Sequence, residues 1–184
     1  KNPGQVAYRA HEPLRAAGCA AGAGGSLTVA RTMTMTSKKL KRTIRFYPPY
    51  LGAGVRVTHV SDDFRTVKVE MPLRFYNKNY VGTHFGGSLY SMCDPFYMVM
   101  LINILGPDYI VWDKSATIRF KKPGKGLVKA TFHISEARIA EIRAAADAQG
   151  KVEPQFQVVV TDSEDNVVAE VDKLLYVRRK NSLT

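Results

Sequence analysis

The sequence predicts an α+β domain in which a curved antiparallel β-sheet wraps around one long central α-helix. Segments on both sides of the most apolar stretch alternate apolar and polar residues, as do strands with one buried face. That stretch, residues 86–105, carries large apolar side chains on every side, which is typical of a helix buried all round. The 184 residues, of which 45% are hydrophobic and 23% are charged, suit a single domain with its own core.

The first half of the chain supplies two strands after a basic segment. Residues 38–47 are rich in Lys and Arg and predict a short helix that ends at Pro48-Pro49. Residues 55–58 and 66–71 alternate apolar with polar side chains, and turn-forming residues 61–63 lie between them. This pattern predicts a β-hairpin with one buried face.

The central helix is predicted over residues 86–105, with Gly106-Pro107 at its end. Asp94, Pro95 and Asn103 interrupt its apolar surface. A helix that spans a membrane needs about 20 nearly uncharged residues. We therefore expect this helix to be the core of the domain and predict no membrane partner.

After the central helix the pattern is mostly strand. A second, shorter helix is predicted at Glu136–Gln149, between Ser135 as N-cap and Gly150 as its stop. Strands are predicted at residues 116–120, 128–134, 156–160 and 167–177, with turns at residues 123–126 and 162–166. One sheet packed around one apolar helix would bury both hydrophobic patterns.

A motif at the predicted start of the central helix resembles that of a known family. The residues are Asn79-Tyr80-Val81-Gly82-Thr83-His84-Phe85-Gly86-Gly87, followed seven positions later by Asp94. Hotdog-fold acyl-CoA thioesterases, particularly the phenylacetate-pathway type, carry Asn-x-x-Gly-x-x-His-Gly-Gly and an acid at this spacing. Phe85 stands at the position of the family's histidine. The resemblance covers about residues 51–179 and is closest to an uncharacterised subgroup of thioesterases. It implies one hotdog domain over residues 37–184.

The resemblance implies a thioesterase whose base or nucleophile is Asp94. The amide of Gly87, at the start of the helix, would stabilise the developing oxyanion, and Asn79 would hold the loop or orient water. From the residues alone, an aspartate amid apolar neighbours needs a partner or a task, and desolvation would make it a stronger base. Structural explanations stay open: Asp94 caps backbone freed by Pro95, and the glycine pair and Asn79 only form turns.

Six further residues are expected to contact the substrate. They are His84 and Gly86 in the motif, Tyr97 on the helix, and Arg119, Lys121 and Lys122 after it. The three cations suit the phosphates of coenzyme A, and Tyr97 suits a medium-chain or aromatic acyl group. Each also has a structural explanation: His84 is a surface residue, the three cations form a charged outer face of the sheet, and Tyr97 is a core residue.

Composition limits the partners and the location. The formal net charge is +11, and basic clusters lie at residues 38–45 and 178–180. Neither cluster interleaves aromatic residues as single-strand binders do, so we predict no nucleic-acid partner. The four histidines, at positions 11, 59, 84 and 133, lack metal-ligand spacing, so we predict no metal and no cofactor besides the coenzyme A thioester as substrate.

Two cysteines, Cys19 and Cys93, are too few for a disulfide framework, which favours a cytoplasmic location. Residues 1–36 have no helix or strand period, and we predict an unstructured or non-native extension there.

Several functions remain open. The first is a homodimeric or tetrameric thioesterase, because one such sheet leaves an edge and a helix face to cover, and the resemblance implies an active site between two chains. A dehydratase of the same fold needs a catalytic histidine, and His84 is out of register for that role. A non-catalytic acyl-CoA-binding or sensor protein would keep the glycines without needing Asp94. Nucleic-acid binding through the basic ends ranks last.

Overall fold

The computed structural model of the chain describes residues 5–8 and 35–180, which form eight strands and five helices. The strands are β1 (Gln5–Tyr8), β2 (Arg56–Val60), β3 (Thr66–Pro72), β4 (Tyr109–Phe120), β5 (Leu127–His133), β6 (Lys151–Val152), β7 (Gln155–Asp162) and β8 (Val167–Arg179). The helices are α1 (Ser37–Arg45), α2 (Pro48–Ala53), α3 (Gly86–Ser91), α4 (Phe96–Leu105) and α5 (Glu136–Gln149). Within the extension predicted over residues 1–36, the described residues 5–8 form a strand, β1, that pairs with β4, and residues 1–4 and 9–34 lie outside the described residues.

All eight strands form one antiparallel sheet. The order across the sheet is β1-β4-β8-β7-β5-β3-β2, and the short β6 pairs with β8. The strand that follows the central helix, β4, therefore lies beside the last strand, and the β2–β3 hairpin lies at the opposite end. The α+β prediction of a curved antiparallel sheet with a central helix is confirmed.

The core lies between the inner face of the sheet and the helical segment α3–α4. Met92, Phe96, Met100 and Leu101 of that segment are almost fully buried against apolar strand residues. The segment is long and apolar enough to cross a membrane, with a mean hydropathy of 1.3, but half of it is buried inside the fold. Such burial is typical of a core helix.

The central helix is interrupted after α3, which has six residues. Pro95 has no amide to donate and disfavours helical geometry at the residue before it, so α3 ends at Ser91 and α4 begins at Phe96. Between them the amide of Cys93 donates to the carbonyl of Tyr90, at 2.8 Å, in the tighter three-residue pattern. The prediction of one helix over residues 86–105 is thus right in extent but not in continuity.

Most other elements agree with the sequence-based predictions. The β2–β3 hairpin is present, and α5 has Ser135 as N-cap and Gly150 as C-cap. Two differ. Pro48-Pro49 does not only end α1 but also begins α2, because the first helical positions need no amide donor. β4 begins at Tyr109, seven residues before the predicted position 116, and has a register shift between Asp113 and Ser115.

Candidate functional site

Asn79 organises the loop that precedes α3. Its Oδ1 accepts hydrogen bonds from the amides of Val81, at 3.1 Å, and Thr83, at 2.9 Å. Its Nδ2 donates to Thr83 Oγ1, at 2.9 Å, and to the carbonyl of His84, at 3.3 Å. An asparagine that closes a turn through its own side chain is a common local motif. The loop-holding role of Asn79 therefore has a structural basis, while a role in orienting water stays a prediction.

His84 connects this loop to residues 121–126, the segment that joins β4 to β5. Its amide donates to the carbonyl of Gly124, at 3.0 Å, and its Nε2 lies 2.9 Å from the carbonyl oxygen of Gly126. The residue is only 3% exposed, and burial lowers the pKa of its imidazole. Nδ1 is buried and has no hydrogen-bond partner among the described residues. The ring is therefore not a surface feature, and one nitrogen is left for a ligand or water.

A cleft of about 370 Å³ opens at the start of α3. It brings together five of the predicted site residues: Asn79, His84, Gly86, Lys121 and Lys122. We call it the His84 cleft. A Cβ on Gly86 would lie 2.9 Å from Cζ of Phe120, so a larger residue at this position would displace the Phe120 ring.

The amides at the start of α3 face no helical acceptor. The first amides that bond within the turn are those of Ser88, at 3.0 Å, and Leu89, at 3.1 Å, and both donate to the carbonyl of Phe85. The amides of Gly86 and Gly87 precede them and have no carbonyl one turn earlier. Phe85 is the N-cap, its side chain is exposed, and a Cβ on Gly87 would lie 2.4 Å from its ring. The Phe85 ring therefore covers one side of Gly87.

A second cluster surrounds Asp94 at the interruption of the central helix. Asp94 Oδ1 accepts a hydrogen bond from the hydroxyl of Tyr90, at 2.7 Å, and another from Nζ of Lys173, at 3.0 Å. The side chain of Lys173 is 0% exposed, whereas that of Asp94 is 49% exposed. The apolar burial expected for Asp94 is therefore wrong, but the expected partner is present. We call these three residues, with Asp113, the Asp94 cluster.

Lys173 is held between two carboxylates. Its Nζ lies 3.2 Å from Asp113 Oδ1, which is close enough for an ion pair but not aligned for a hydrogen bond. This oxygen of Asp113 therefore has no hydrogen-bond partner among the described residues. Burial raises the pKa of Asp113, and the positive charge of Lys173 opposes that rise. Burial also raises the pKa of Tyr90, and the charge of Asp94 adds to it, so the phenol stays a hydrogen-bond donor.

Cys93 is not a nucleophile in this arrangement. The thiol is fully buried, and burial raises its pKa to about 12. A thiolate is the reactive form of cysteine, so this side chain acts as a small apolar core residue.

Two predicted binding residues lie elsewhere. The hydroxyl of Tyr97 donates to the carbonyl of Gln157, at 2.8 Å, and its ring stacks on Phe156 in the core. Arg119 forms ion pairs with Glu170 and Asp172 and does not line the His84 cleft. Their roles in binding substrate stay predictions. The contacts of both side chains are those of the structural alternatives, in which Tyr97 is a core residue and Arg119 belongs to a charged outer face of the sheet.

Tyr90, Asp113 and Lys173 were missed by the sequence reasoning. A signal was present for Lys173, because it lies between Val171 and Leu175, in phase with the buried face of β8. A lysine on the inward phase of a strand needs an acidic partner, and the only acid on the central helix is Asp94. Asp113 gave no such signal, because β4 was predicted to begin after it.

An antiparallel sheet wrapped around a central helix, with a cleft where that helix begins, defines a hotdog-fold protein. Three solved structures show the same fold. A Pseudomonas aeruginosa protein described as a probable thioesterase has a TM-score of 0.71 and 22% identity, and the match covers 81% of this chain and 99% of that one. A Chlorobaculum tepidum protein has a TM-score of 0.64 and 18% identity, with 80% and 99% covered. A Haemophilus influenzae thioesterase has a TM-score of 0.59 and 12% identity, with 83% and 96% covered.

The chain belongs to the family described as domain of unknown function DUF4442, which matches residues 36–177. None of the curated proteins matches the chain. At these identities the solved structures support the fold alone.

Proposed function

We propose that this protein is an acyl-CoA thioesterase that hydrolyses a medium-chain or aromatic acyl-CoA, with Asp94 as base or nucleophile. The observation that carries the proposal is the state of the Asp94 carboxylate. Both of its hydrogen bonds, from Tyr90 and Lys173, reach Oδ1. Oδ2 accepts none from the described residues, and the side chain is half-exposed. A carboxylate that is fixed through one oxygen and open at the other suits proton transfer from a water molecule or direct attack.

The reaction needs a second set of groups, which lie at the start of α3 and in the adjoining His84 cleft. Water attacks the thioester carbonyl carbon while Asp94 Oδ2 takes the proton, and the oxyanion accepts a hydrogen bond from the amide of Gly87. The carbon–sulfur bond then breaks, and the departing thiolate recovers the proton. Lys121 and Lys122 line the His84 cleft. Lys121 forms an ion pair with Glu170, at 3.1 Å, so Lys122 is the cation that offers its charge to the phosphates of coenzyme A.

The proposal includes a homodimer in which the cleft of one chain meets Asp94 of the other. Within one chain the His84 cleft and the Asp94 cluster have no residue in common. A twofold axis would repeat both regions in the dimer. The His84 cleft of each chain would then meet the Asp94 cluster of the other chain, which gives two complete sites per dimer.

The first test is thiol release from a panel of acyl-CoA substrates. We expect activity for the wild-type protein and a loss of about 10²–10⁴-fold for Asp94→Ala, which is the usual contribution of a general base. Asp94→Asn is the matched control for shape, and it should lose activity equally because it cannot accept the proton. Unchanged turnover in a folded Asp94→Ala protein would refute the role of Asp94.

A mixing experiment tests the site between two chains. Asp94→Ala and Gly87→Val proteins, each inactive alone, are unfolded together and refolded at equal amounts. Half of the dimers would then contain one intact site out of two, so about a quarter of the wild-type activity should return. No recovery, with mixed dimers present by native mass spectrometry, would place the site within one chain.

One observation favours a second candidate, a non-catalytic acyl-CoA-binding or sensor protein. The ring of Phe85 lies against Gly87, on the backbone that would stabilise the oxyanion. Binding of a non-hydrolysable acyl-CoA analogue without turnover of any acyl-CoA would support this candidate and refute the enzyme.

A further inference from the structure

A basic groove lies between α1, α2 and β2, at the end of the sheet formed by the β2–β3 hairpin. Its volume is about 860 Å³, within the range of small-molecule sites. Five cationic side chains line it: Lys38, Lys41, Arg42, Arg45 and Arg56. No acidic residue lines it, and none of the five forms an ion pair within residues 35–180. We call it the α1–β2 groove.

The helix α1 concentrates this charge on one side. Lys38, Lys41, Arg42 and Arg45 are spaced three and four residues apart, so they form a single stripe along the helix. Leu40, on another side, is buried in the fold, which fixes the direction of the stripe. Like charges at these spacings destabilise a helix, and no acidic residue lies in its first turn. An anion in the groove would relieve that repulsion.

The wall of the groove is preformed. Asn77 is buried, and its Nδ2 donates to the carbonyls of Ala53, at 2.9 Å, and Pro72, at 3.0 Å, which ties the end of α2 to the end of β3. Gly54, with φ of 78°, packs so closely that a Cβ would lie 2.7 Å from that Nδ2 and 3.2 Å from the ring of Tyr76. The backbone of this wall is therefore fixed before any ligand arrives, and the Tyr76 ring packs beside it.

Tyr50 lines the groove but is only 2% exposed, and its ring packs against Phe96 in the core. Its hydroxyl has no hydrogen-bond partner in the described part of the chain, and burial, with the charge of Asp94 added to it, raises the pKa of the phenol. This hydroxyl therefore lies toward the central helix, and the cations and exposed aromatic rings of the groove are what a ligand would contact.

We propose that the α1–β2 groove binds a soluble nucleotide carrying two or more phosphates. Arginine binds phosphate through two parallel hydrogen bonds, and Arg42 and Arg45 lie on the same stripe. Phe46 and Tyr76 are exposed aromatic side chains at the same groove, and they offer ring faces to a planar base. Cations and aromatic rings around one concavity match a ligand that has a phosphate end and an aromatic end.

The concave shape of the groove favours a small molecule, which can contact several of its walls at once, over a flat bilayer surface. The α1–β2 groove shares no lining residue with the His84 cleft or with the Asp94 cluster. The inference therefore does not rest on the proposed thioesterase activity, and the failure of thiol release would leave it standing.

Isothermal titration calorimetry with ADP and with inorganic pyrophosphate tests the inference on the full chain. We expect ADP to bind one to one and pyrophosphate to bind more weakly. Arg42→Gln/Arg45→Gln should weaken ADP binding about tenfold or more, because charge-assisted hydrogen bonds are lost. Phe46→Ala should weaken the binding of ADP but not of pyrophosphate, which separates the aromatic contact from the charge.

Lys151→Gln/Arg178→Gln is the matched control, because it removes two exposed cations that lie outside the groove. It should change ADP binding less than about twofold at 0.15 M salt, where surface charges are screened. Equal weakening in both double variants would overturn the inference, as would an absence of ADP binding or equal affinity for ADP and pyrophosphate. Tighter binding to phosphatidylserine vesicles or to duplex DNA than to ADP, lost in Arg42→Gln/Arg45→Gln, would also overturn it.

Discussion

Replacing Lys173 by methionine should reveal how strongly the Asp94 cluster ties the central helix to the sheet. The substitution keeps the length of the side chain and removes its charge, leaving Asp94 and Asp113 without their shared cation. Removing one partner of a fully buried ion pair costs about 3–5 kcal/mol. Asp113 is 22% exposed and Asp94 is half-exposed, so water takes over part of the lost solvation. We expect the free energy of unfolding at pH 7 to fall by about 2–3 kcal/mol.

The loss should depend on pH in a definite direction. Burial raises the pKa of Asp113 and Lys173 opposes that rise, so removing Lys173 raises the pKa further. A carboxyl group with a raised folded pKa binds its proton more tightly in the folded state. Its contribution to stability is present below the unfolded pKa and is lost as pH rises through the folded pKa. The deficit of the Lys173→Met protein should therefore shrink from pH 7 to pH 4.

Urea denaturation, followed by circular dichroism and by fluorescence of Trp112, the only tryptophan, measures both effects. The double variant Lys173→Met/Asp113→Asn should recover most of the loss, because the buried charge is gone. Lys114→Met is the matched control: its exposed ion pair with Glu153 should contribute less than about 1 kcal/mol. A Lys173→Met protein as stable as wild type, or a deficit that neither acid nor Asp113→Asn relieves, would refute the reasoning.

Three further predictions concern single residues. Burial lowers the pKa of His84, so as pH falls below about 6.5 the unfolded chain takes up a proton before the folded one does, and the free energy of unfolding decreases. In His84→Gln this decrease, measured as the fall of the urea midpoint between pH 7 and pH 5, should be smaller. Gly54→Ala should destabilise by about 1–3 kcal/mol, because φ is positive and a Cβ would lie 2.7 Å from a buried amide nitrogen. Gly52→Ala, with no neighbouring atom within 4 Å, should not destabilise in the same thermal melts. In a Cys19→Ser protein, Cys93 should react with a disulfide reagent only after unfolding, because burial raises its pKa to about 12; fast labelling of the folded protein would show that the thiol is accessible.

The alternation of apolar and polar residues was sufficient to predict the sheet and the central helix. The pattern at residues 66–71 predicts the inner face of β3, where Val67, Val69 and Met71 are buried. Local capping chemistry at Ser135 and Gly150 gave both ends of α5. These features depend on residues that are neighbours in sequence, which is why one sequence is enough to find them.

The parts of the candidate site that depend on distant residues were harder to predict. Lys173 and Asp94 are 79 positions apart, and no local pattern states that their side chains meet. The interior position of His84 also depends on a distant segment, because its acceptors belong to residues 124 and 126. By contrast, the glycine-rich motif predicted where the central helix begins, because the start of a helix is a local feature.

The hydrogen bonds of His84 have a consequence for protein engineering. Its amide and its ring join the loop before α3 to Gly124 and Gly126, 40 and 42 positions later, so the two loops behave as one exchangeable part. A chimera that takes only one of them from a relative would lose the contact between the His84 ring and the carbonyl of Gly126 wherever the relative has another residue or another loop shape. Transplanting both loops together should keep the parent's folding yield, and libraries that vary this part of the molecule should randomise the pair as one cassette.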